Sequence, residues 1–304
     1  MQLGMMSCNL CPRHCGTVPG YCGSTQRMEV ASVCVHTGEE PPLKDIVNVF
    51  FYHCSLHCIY CQNHQISGSE GRERGKWNVE SVETLAERVC KELREVAERH
   101  EQPLLGLVTA AHYADQLPPL VNAVHEHGIF PTVVYNSSGY ESVETLRSLE
   151  GVVDIYLPDY KYSDPALARA YSHAEDYPRV AQEAIEEMMR QVGSGLKTDG
   201  DGIAYRGLIV RHLVLPGHVD NSLNALDTLA AMCPDSSRLH VSLMAQYFPP
   251  SSSLPAPLNR TLRQDEYDAV AERFTQIGFD GWMQELDAQD TYRPNFNLHG
   301  HPFA

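Results

Sequence analysis

The sequence of 304 residues has few basic side chains and no long apolar run. Lys and Arg together number 23 against 39 Asp and Glu, which gives a formal net charge of −16 at pH 7. Proteins that bind nucleic acids usually present a clustered excess of Lys and Arg, so this balance argues against a nucleic-acid partner. No apolar run approaches the roughly 18 residues that a membrane-spanning helix requires, so we expect no membrane insertion.

The start of the chain, MQLGMMSCNLCPRHC, lacks the basic segment and apolar stretch that are typical of a secretory signal. We therefore expect a cytoplasmic protein whose thiols stay reduced. Ten cysteines in such a compartment indicate metal or redox chemistry before disulfides. Eight of them fall in the first 61 residues; the other two, Cys90 and Cys233, lie in helical patterns and are expected to be buried, inert thiols.

Beyond residue 43, apolar β-rich runs alternate with amphipathic helical stretches. The six runs are IVNVFF, LLGLVT, FPTVVY, VVDIYL, LIVRHLVL and LHVSLMA, at 46–51, 104–109, 130–135, 152–157, 208–215 and 239–245. Such strand and helix units predict an α/β fold with a parallel sheet covered by helices. Polar residues gather just after the strands, which favours a curled, barrel-like sheet over a doubly wound one, because curling brings strand ends to one rim.

The pattern divides the chain into three predicted segments. They are a Cys-rich N-terminal extension (1–43), a barrel (44–280) and a C-terminal tail (281–304) that packs on the barrel. Helical sequence is expected from Pro165 through Val192, and the Gly-rich stretch 193–207 is expected to be a loop.

The stretch CSLHCIYCQN, directly after the first predicted strand, carries a C-x3-C-x2-C spacing. We call residues 54–61 the cysteine loop; its cysteines are Cys54, Cys58 and Cys61. Three thiolates suit three irons of a cubane [4Fe-4S] cluster and leave the fourth iron open to a cofactor or substrate. Zinc is the alternative, but a structural zinc needs four ligands, which His53, His57 or His64 would have to complete.

The cysteine loop belongs to a series of motifs that runs along the whole chain. They are CNLCPRHCG (8–16), GEEPPL (38–43), CIYCQNHQIS (58–67), YNSSGYES (135–142), VDIYLPDYKYSD (153–164), RQVG (190–193), GLIVRHLVLPG (207–217) and QYFP (246–249). Together they resemble the radical SAM superfamily, in particular its pyruvate formate-lyase activating enzyme-like branch and the uncharacterised iron-sulfur proteins within that branch. The resemblance implies a partial (β/α)6 TIM-type barrel with a Cys-rich N-terminal extension.

The resemblance also implies an activity. S-adenosylmethionine would bind the open iron, and one electron from the reduced [4Fe-4S] cluster would cleave it to a 5′-deoxyadenosyl radical for hydrogen abstraction. The named branch further implies activation of a glycyl radical enzyme and an electron donor such as flavodoxin or ferredoxin. Two alternatives are radical modification of another peptide or small metabolite, and a non-catalytic iron-sulfur or zinc redox-sensing protein.

The residues that this resemblance assigns to the cofactor site follow different strands. They are Tyr60, Thr109, Asn136, Asp159, Lys161, Arg211 and Gln246. Lys161 matches the lysine of an Asp-x-Lys motif and would meet the cofactor carboxylate, whereas Gln246 falls at an expected adenine contact. Where the family has Gly-Gly-Glu, this chain has Thr-Ala-Ala-His, so backbone carbonyls, the Thr109 hydroxyl or His112 would receive the cofactor amino group; His112 is also a candidate proton donor.

Four further thiols lie near the start of the chain, in a C-x2-C-x3-C-x6-C spacing. They are Cys8, Cys11, Cys15 and Cys22. Four thiols within 15 residues can wrap one metal, and the spacing is tighter than that of a zinc ribbon. An auxiliary iron-sulfur cluster, a structural zinc and unliganded or redox-active thiols all fit this pattern.

Overall fold

A mixed sheet organises the part of the chain that the computed structural model describes, namely residues 8–25, 27–68, 78–233, 235, 238–288, 293–297 and 301–303. Its strands are β1 (Glu29–His36), β2 (Ile46–Phe51), β3 (Asn78–Val79), β4 (Leu104–Val108), β5 (Thr132–Ser137), β6 (Ile155–Pro158), β7 (Lys197–Thr198), β8 (Ala204–Leu213), β9 (His240–Met244) and β10 (Asp280–Met283). They lie in the order β10-β9-β8-β6-β5-β4-β2-β1-β3, with β7 paired to β8.

The strands from β2 to β10 along that order are all parallel. Strands β1, β3 and β7 join antiparallel. The α-helices are His64–Ser67, Val82–Ala97, Leu117–Glu126, Val143–Ser148, Pro165–Ser172, Tyr177–Val192, Val219–Met232 and Gln264–Ile277, and two 3-10 helices cover Pro41–Leu43 and Ala111–Gln116. No helix within the described ranges combines the length and apolar character that crossing a membrane requires.

The helix Val82–Ala97 illustrates how these elements form. Ser81 caps it by accepting the Thr84 N–H at 3.2 Å. Its buried side chains recur at helical spacing and are Leu85, Ala86, Val89, Cys90, Leu93 and Val96. Each such Leu or Val contributes about 1.5–3 kcal/mol when it is fully buried, so this face fastens the helix to the sheet.

Alternation along the strands separates two faces of the sheet. On β2, Val47, Val49 and Phe51 join the large core that the helices cover. Ile46 points the other way, into a smaller interior cluster. That cluster also contains Leu104, Val134, Ile155 and Ile209 from the neighbouring parallel strands. Apolar side chains therefore fill the interior near the amino ends of the strands, and the polar residues come at their carboxyl ends.

The predicted partial barrel is confirmed, with differences in detail. All six predicted strands are present, and β10 adds a seventh to the parallel set. The helical sequence predicted over 165–192 is confirmed, and it forms two helices, because His173 ends the first in a left-handed conformation with φ of 52°. The predicted loop over 193–207 is wrong in part, since β7 and the start of β8 form a hairpin within it.

The predicted segment boundaries stay predictions, and two strands bear on them. Strand β1 lies inside the segment 1–43 and pairs with β2, so this segment contributes to the sheet. Strand β10 crosses the boundary at 280 and pairs with β9. Part of the tail, at 289–292, 298–300 and 304, lies outside the described residues.

Candidate functional site

A cavity of about 470 Å³ opens at the carboxyl ends of the parallel strands. Its wall includes all ten residues that the sequence assigned to the first cluster and to the cofactor. They are Cys54, Cys58, Tyr60, Cys61, Thr109, Asn136, Asp159, Lys161, Arg211 and Gln246. Residues up to 192 positions apart in the chain thus meet at one rim, as the curl of a parallel sheet requires.

The cysteine loop is shaped by backbone conformations that L-residues seldom adopt. His53 and His57 have φ of 79° and 58°, which turn the chain sharply after β2. The Leu56 N–H donates to the sulfur of Cys54 at 3.4 Å, and the Ser172 hydroxyl donates to the sulfur of Cys58 at 2.9 Å. Hydrogen bonds of this kind stabilise the thiolate, which is the form that binds metal.

Burial works against ionisation of these thiols while they carry no metal. It raises the pKa of Cys58 to about 12, and Lys161 opposes that rise. Burial likewise raises the pKa of Cys61, against a hydrogen bond from the backbone N–H of Asn63. Metal binding at this loop must therefore release thiol protons.

Lys161 forms an ion pair with Asp159 beside the cysteine loop. Asp159 and Cys58 raise the pKa of Lys161 against the opposing effect of burial, so the ammonium group stays charged. The Tyr177 hydroxyl accepts a hydrogen bond from the backbone N–H of Lys161 at 3.0 Å and donates one to the Asp159 carbonyl oxygen at 2.8 Å. Tyr177 thereby holds the turn that presents the cation to the cavity.

A glycine makes that turn fit against the neighbouring strand end. Gly139 has φ of 77°, and a Cβ there would lie 2.2 Å from the Asp159 carbonyl oxygen. No larger side chain can be accommodated without displacing the backbone after β6.

Arg211 makes a different set of contacts at the other side of the cavity. Its guanidinium pairs with both Glu39 and Glu40, with Nε 2.8 Å from Glu40 Oε1. Arg211 and His36 lower the pKa of Glu39 although burial opposes them. The sequence predicted no role for these two carboxylates of the GEEPPL motif, because their partner Arg211 lies about 170 positions away.

Gln246 lies in a chain of side-chain amides. Gln62 donates to the Gln246 backbone carbonyl at 2.7 Å, and Gln284 donates to the Gln246 side chain at 2.8 Å. This chain ties the residue after Cys61 to the ends of β9 and β10. Gln62 and Gln284 were not predicted, and their identical residue type is the only local signal.

Thr109 and Asn136 meet where β4 and β5 end. Thr109 has φ of 57°, and its N–H donates to the Asn136 carbonyl at 2.9 Å. The strained turn directs the following residues away from the cavity into the helix Ala111–Gln116. His112 consequently does not line the cavity.

His112 instead contacts the backbone behind the cavity wall. Its Nε2 lies 2.7 Å from the Tyr52 carbonyl oxygen. Burial and the neighbouring His53 lower the pKa of His112 to about 3, so the ring is neutral near pH 7. The suggested roles of His112 as a proton donor or cofactor contact therefore find no support in its position.

The four N-terminal cysteines lie outside the cavity wall, in residues 8–25, which we call the head. Cys11 and Cys22 are buried, whereas Cys8 and Cys15 are partly buried. Among the described residues, no three His, Cys, Asp or Glu side chains are gathered as closely as a single metal ion requires. That holds for the head and for the cysteine loop alike.

Comparison with known proteins adds the fold to this geometry. No protein-family model matches the chain. An uncharacterized protein of Methanocaldococcus jannaschii is 24% identical over 287 residues, which cover 90% of this chain and 76% of that protein. A radical SAM methyltransferase from Sphaerobacter thermophilus superposes with a TM-score of 0.54 at 13% identity, covering 85% of this chain and 70% of that one. The chain therefore has the fold of a radical SAM enzyme.

Proposed function

We propose that this chain is a radical SAM enzyme that binds a [4Fe-4S] cluster through Cys54, Cys58 and Cys61. The observation that carries the proposal is that these three thiols share one cavity with the Lys161 ammonium group. Three protein ligands leave one iron free for S-adenosylmethionine, and the cavity gives that cofactor a place beside the iron.

The donor set fits such a cluster. Each of the three sulfurs has a hydrogen-bond donor nearby: the Leu56 N–H, the Ser172 hydroxyl and the Asn63 N–H. These donors and the Lys161 charge offset part of the burial cost of three thiolates. When bound and reduced, a cluster of this kind supplies the electron that cleaves S-adenosylmethionine.

The remaining residues bind and orient. Lys161 is placed to pair with the cofactor carboxylate, and Asp159 holds the lysine in position and keeps it charged. Gln246 offers an amide for the adenine ring, with its own position set by Gln62 and Gln284. Tyr60 is buried and accepts a hydrogen bond from the Tyr162 hydroxyl at 2.7 Å, so it forms part of the cavity wall.

Within this class, we propose hydrogen abstraction from a glycine of a partner glycyl radical enzyme. The support is the resemblance of the sequence motifs to activating enzymes, and a flavodoxin or ferredoxin would deliver the electron. Radical modification of another peptide or of a small metabolite is the alternative. Mixing the reduced protein and S-adenosylmethionine with a pyruvate formate-lyase type enzyme should yield a glycyl radical signal by electron paramagnetic resonance (EPR); cofactor cleavage without that signal would favour the alternative.

The general proposal is tested by anaerobic reconstitution with iron and sulfide, followed by reduction and addition of S-adenosylmethionine. The wild type should form 5′-deoxyadenosine and methionine, Cys61→Ala should form neither, and the buried Cys90→Ala should match the wild type. Cleavage at the wild-type rate by Cys61→Ala would contradict the proposal. An assembled cluster with no cleavage would instead favour a redox-sensing protein.

A further inference from the structure

The head is folded as a series of tight turns around its four thiols. The Gly16 N–H donates to the Cys8 carbonyl at 3.1 Å, and the His14 N–H donates to the Cys11 carbonyl at 3.1 Å. Gly20 has no room for a side chain, because a Cβ there would lie 2.4 Å from the sulfur of Cys15. The backbone is therefore packed directly onto the sulfur atoms.

One head cysteine shares a hydrogen-bond pattern with the cysteine loop. The backbone N–H two residues later donates to the sulfur: Ser24 to Cys22 at 3.5 Å, and Leu56 to Cys54 at 3.4 Å. A turn that prepares a thiolate for metal thus occurs in both cysteine groups.

The backbone of the head brings its cysteines near one another. The Cys8 carbonyl meets the N–H of Gly16, directly after Cys15, and the Cys15 sulfur lies against Gly20, two residues before Cys22. A single zinc ion would hold its sulfurs about 3.8 Å apart, since each Zn–S bond is about 2.3 Å. Among the described residues, no three ligand side chains are arranged to hold a single metal ion. Sulfurs that surround a cluster lie farther apart, because iron and sulfide occupy the space between them.

The head also rests directly on the cysteine loop. The Arg13 guanidinium donates to the carbonyl oxygens of Ser55 at 2.9 Å, His173 at 2.6 Å and Ser172 at 3.2 Å. The Ser172 hydroxyl in turn donates to Cys58. Arg13 therefore joins the head to the cysteine loop and to the residues beside it.

A pair of aromatic rings fills the space between the two groups. The Tyr21 ring lies 4.9 Å from the His57 ring, centroid to centroid, and Arg13 stacks on Tyr21 at 4.1 Å. His57 lies within reach of the backbone of both Cys22 and Cys54. The two cysteine groups are thus neighbours across one histidine.

We propose that Cys8, Cys11, Cys15 and Cys22 bind a second iron-sulfur cluster, fully ligated by the protein and docked against the cysteine loop. This inference rests on the proposed function only for the identity of the cluster that the cysteine loop binds. With four thiolates, the head leaves no iron open, and the head does not line the cavity. The second cluster therefore does not bind S-adenosylmethionine.

The test counts iron, sulfide and zinc in the full chain after anaerobic reconstitution with all three supplied. The wild type should hold about eight irons per chain, and Cys11→Ser and Cys58→Ser should each hold about four. Cys34→Ser is the matched control for a buried thiol outside both groups and should match the wild type. The wild-type count decides the matter even if a variant does not fold.

Two results would overturn the inference. One is about four irons with one zinc in the wild type, with the zinc lost in Cys11→Ser. The other is a wild-type iron count retained by both Cys11→Ser and Cys22→Ser. A failure of the proposed function would look different: iron would be lost from Cys11→Ser but not from Cys58→Ser, or all irons would be present with no cofactor cleavage.

Discussion

The head and the cysteine loop use the same local chemistry in different surroundings. In both, N–H groups two residues downstream donate to cysteine sulfurs, and in both burial opposes ionisation of the thiols. Only the cysteine loop borders the cavity, and it supplies three thiols where the head supplies four. Local turns therefore prepare a metal ligand, while the number of ligands and the neighbouring cavity determine what the metal can do.

The charges near the two groups differ as well. Lys161 lies beside the thiols of the cysteine loop and faces the cavity. In the head, Arg13 is occupied by three backbone carbonyls, and the buried carboxyl of Glu141 adds to the effect of burial in raising the pKa of Cys11. The Lys161 ammonium group is thus available to a ligand, whereas the Arg13 guanidinium has a structural role.

The largest effect that separates the two groups should be on cofactor cleavage. Cys58→Ala should lower the rate of 5′-deoxyadenosine formation at least about a thousandfold, because the cluster that supplies the electron loses a ligand. Cys15→Ala should retain more of the activity, since the loop keeps its three thiols. Equal loss in both variants, with the iron of the loop still bound in Cys15→Ala, would break the distinction between the groups. Quantitative chromatography of the nucleoside measures both.

Lys161→Ala should weaken binding of S-adenosylmethionine about 10- to 100-fold and leave the iron content unchanged. Loss of a charge-assisted hydrogen bond to a carboxylate accounts for an effect of this size. Lys91→Ala removes an exposed lysine and serves as the control. Equilibrium dialysis gives the affinity, and loss of iron from Lys161→Ala would mean that the lysine supports the loop itself.

Arg13→Ala should lower the free energy of unfolding by about 2–4 kcal/mol, because two partly buried carbonyl groups and one exposed carbonyl group lose a charged donor. Arg179→Ala, which removes an exposed helix ion pair, should cost less than about 1 kcal/mol. Denaturant titration of the reconstituted proteins under anaerobic conditions compares them. Equal effects would mean that the head is not fastened to the loop through this side chain.

The last predicted effect is on the pH dependence of unfolding, and it concerns Glu141, a buried carboxyl that acts on Cys11 of the head. Burial raises the pKa of this carboxyl to about 7, and it accepts hydrogen bonds from Ser137 at 2.6 Å and Tyr135 at 3.2 Å. A raised carboxyl pKa favours the folded state at low pH, and that stability is lost as the pH rises from 4.5, the ordinary carboxyl value, through about 7. Glu141→Gln should remove up to about 3 kcal/mol of this pH dependence. An unchanged pH profile of unfolding would contradict it.

The sequence predicted the strands because each is a continuous apolar run. Strand β10 was missed because Asp280–Met283 is short and half exposed. The break at His173 was missed because nothing local marks a left-handed histidine. Local pattern therefore predicts buried elements better than it predicts edges and ends.

Ten residues of the cavity wall were predicted as a set, because they lie in the cysteine loop or in motifs at the ends of strands. Their partners were not: Glu40 pairs with Arg211 across 171 positions, and Arg13 contacts His173 across 160. Such pairs depend on how the strands are ordered in the sheet, which periodicity does not specify. His112 lies away from the cavity because the turn at Thr109 directs the following residues elsewhere.

The most direct test of the central claim is EPR of the reduced protein with and without S-adenosylmethionine. If only the cysteine loop has an open iron, the cofactor should alter the signal of one cluster in the wild type and in Cys11→Ser, and should alter nothing in Cys58→Ser. A cofactor-induced change that persists in Cys58→Ser and disappears in Cys11→Ser would contradict the account, because it would place the open iron in the head.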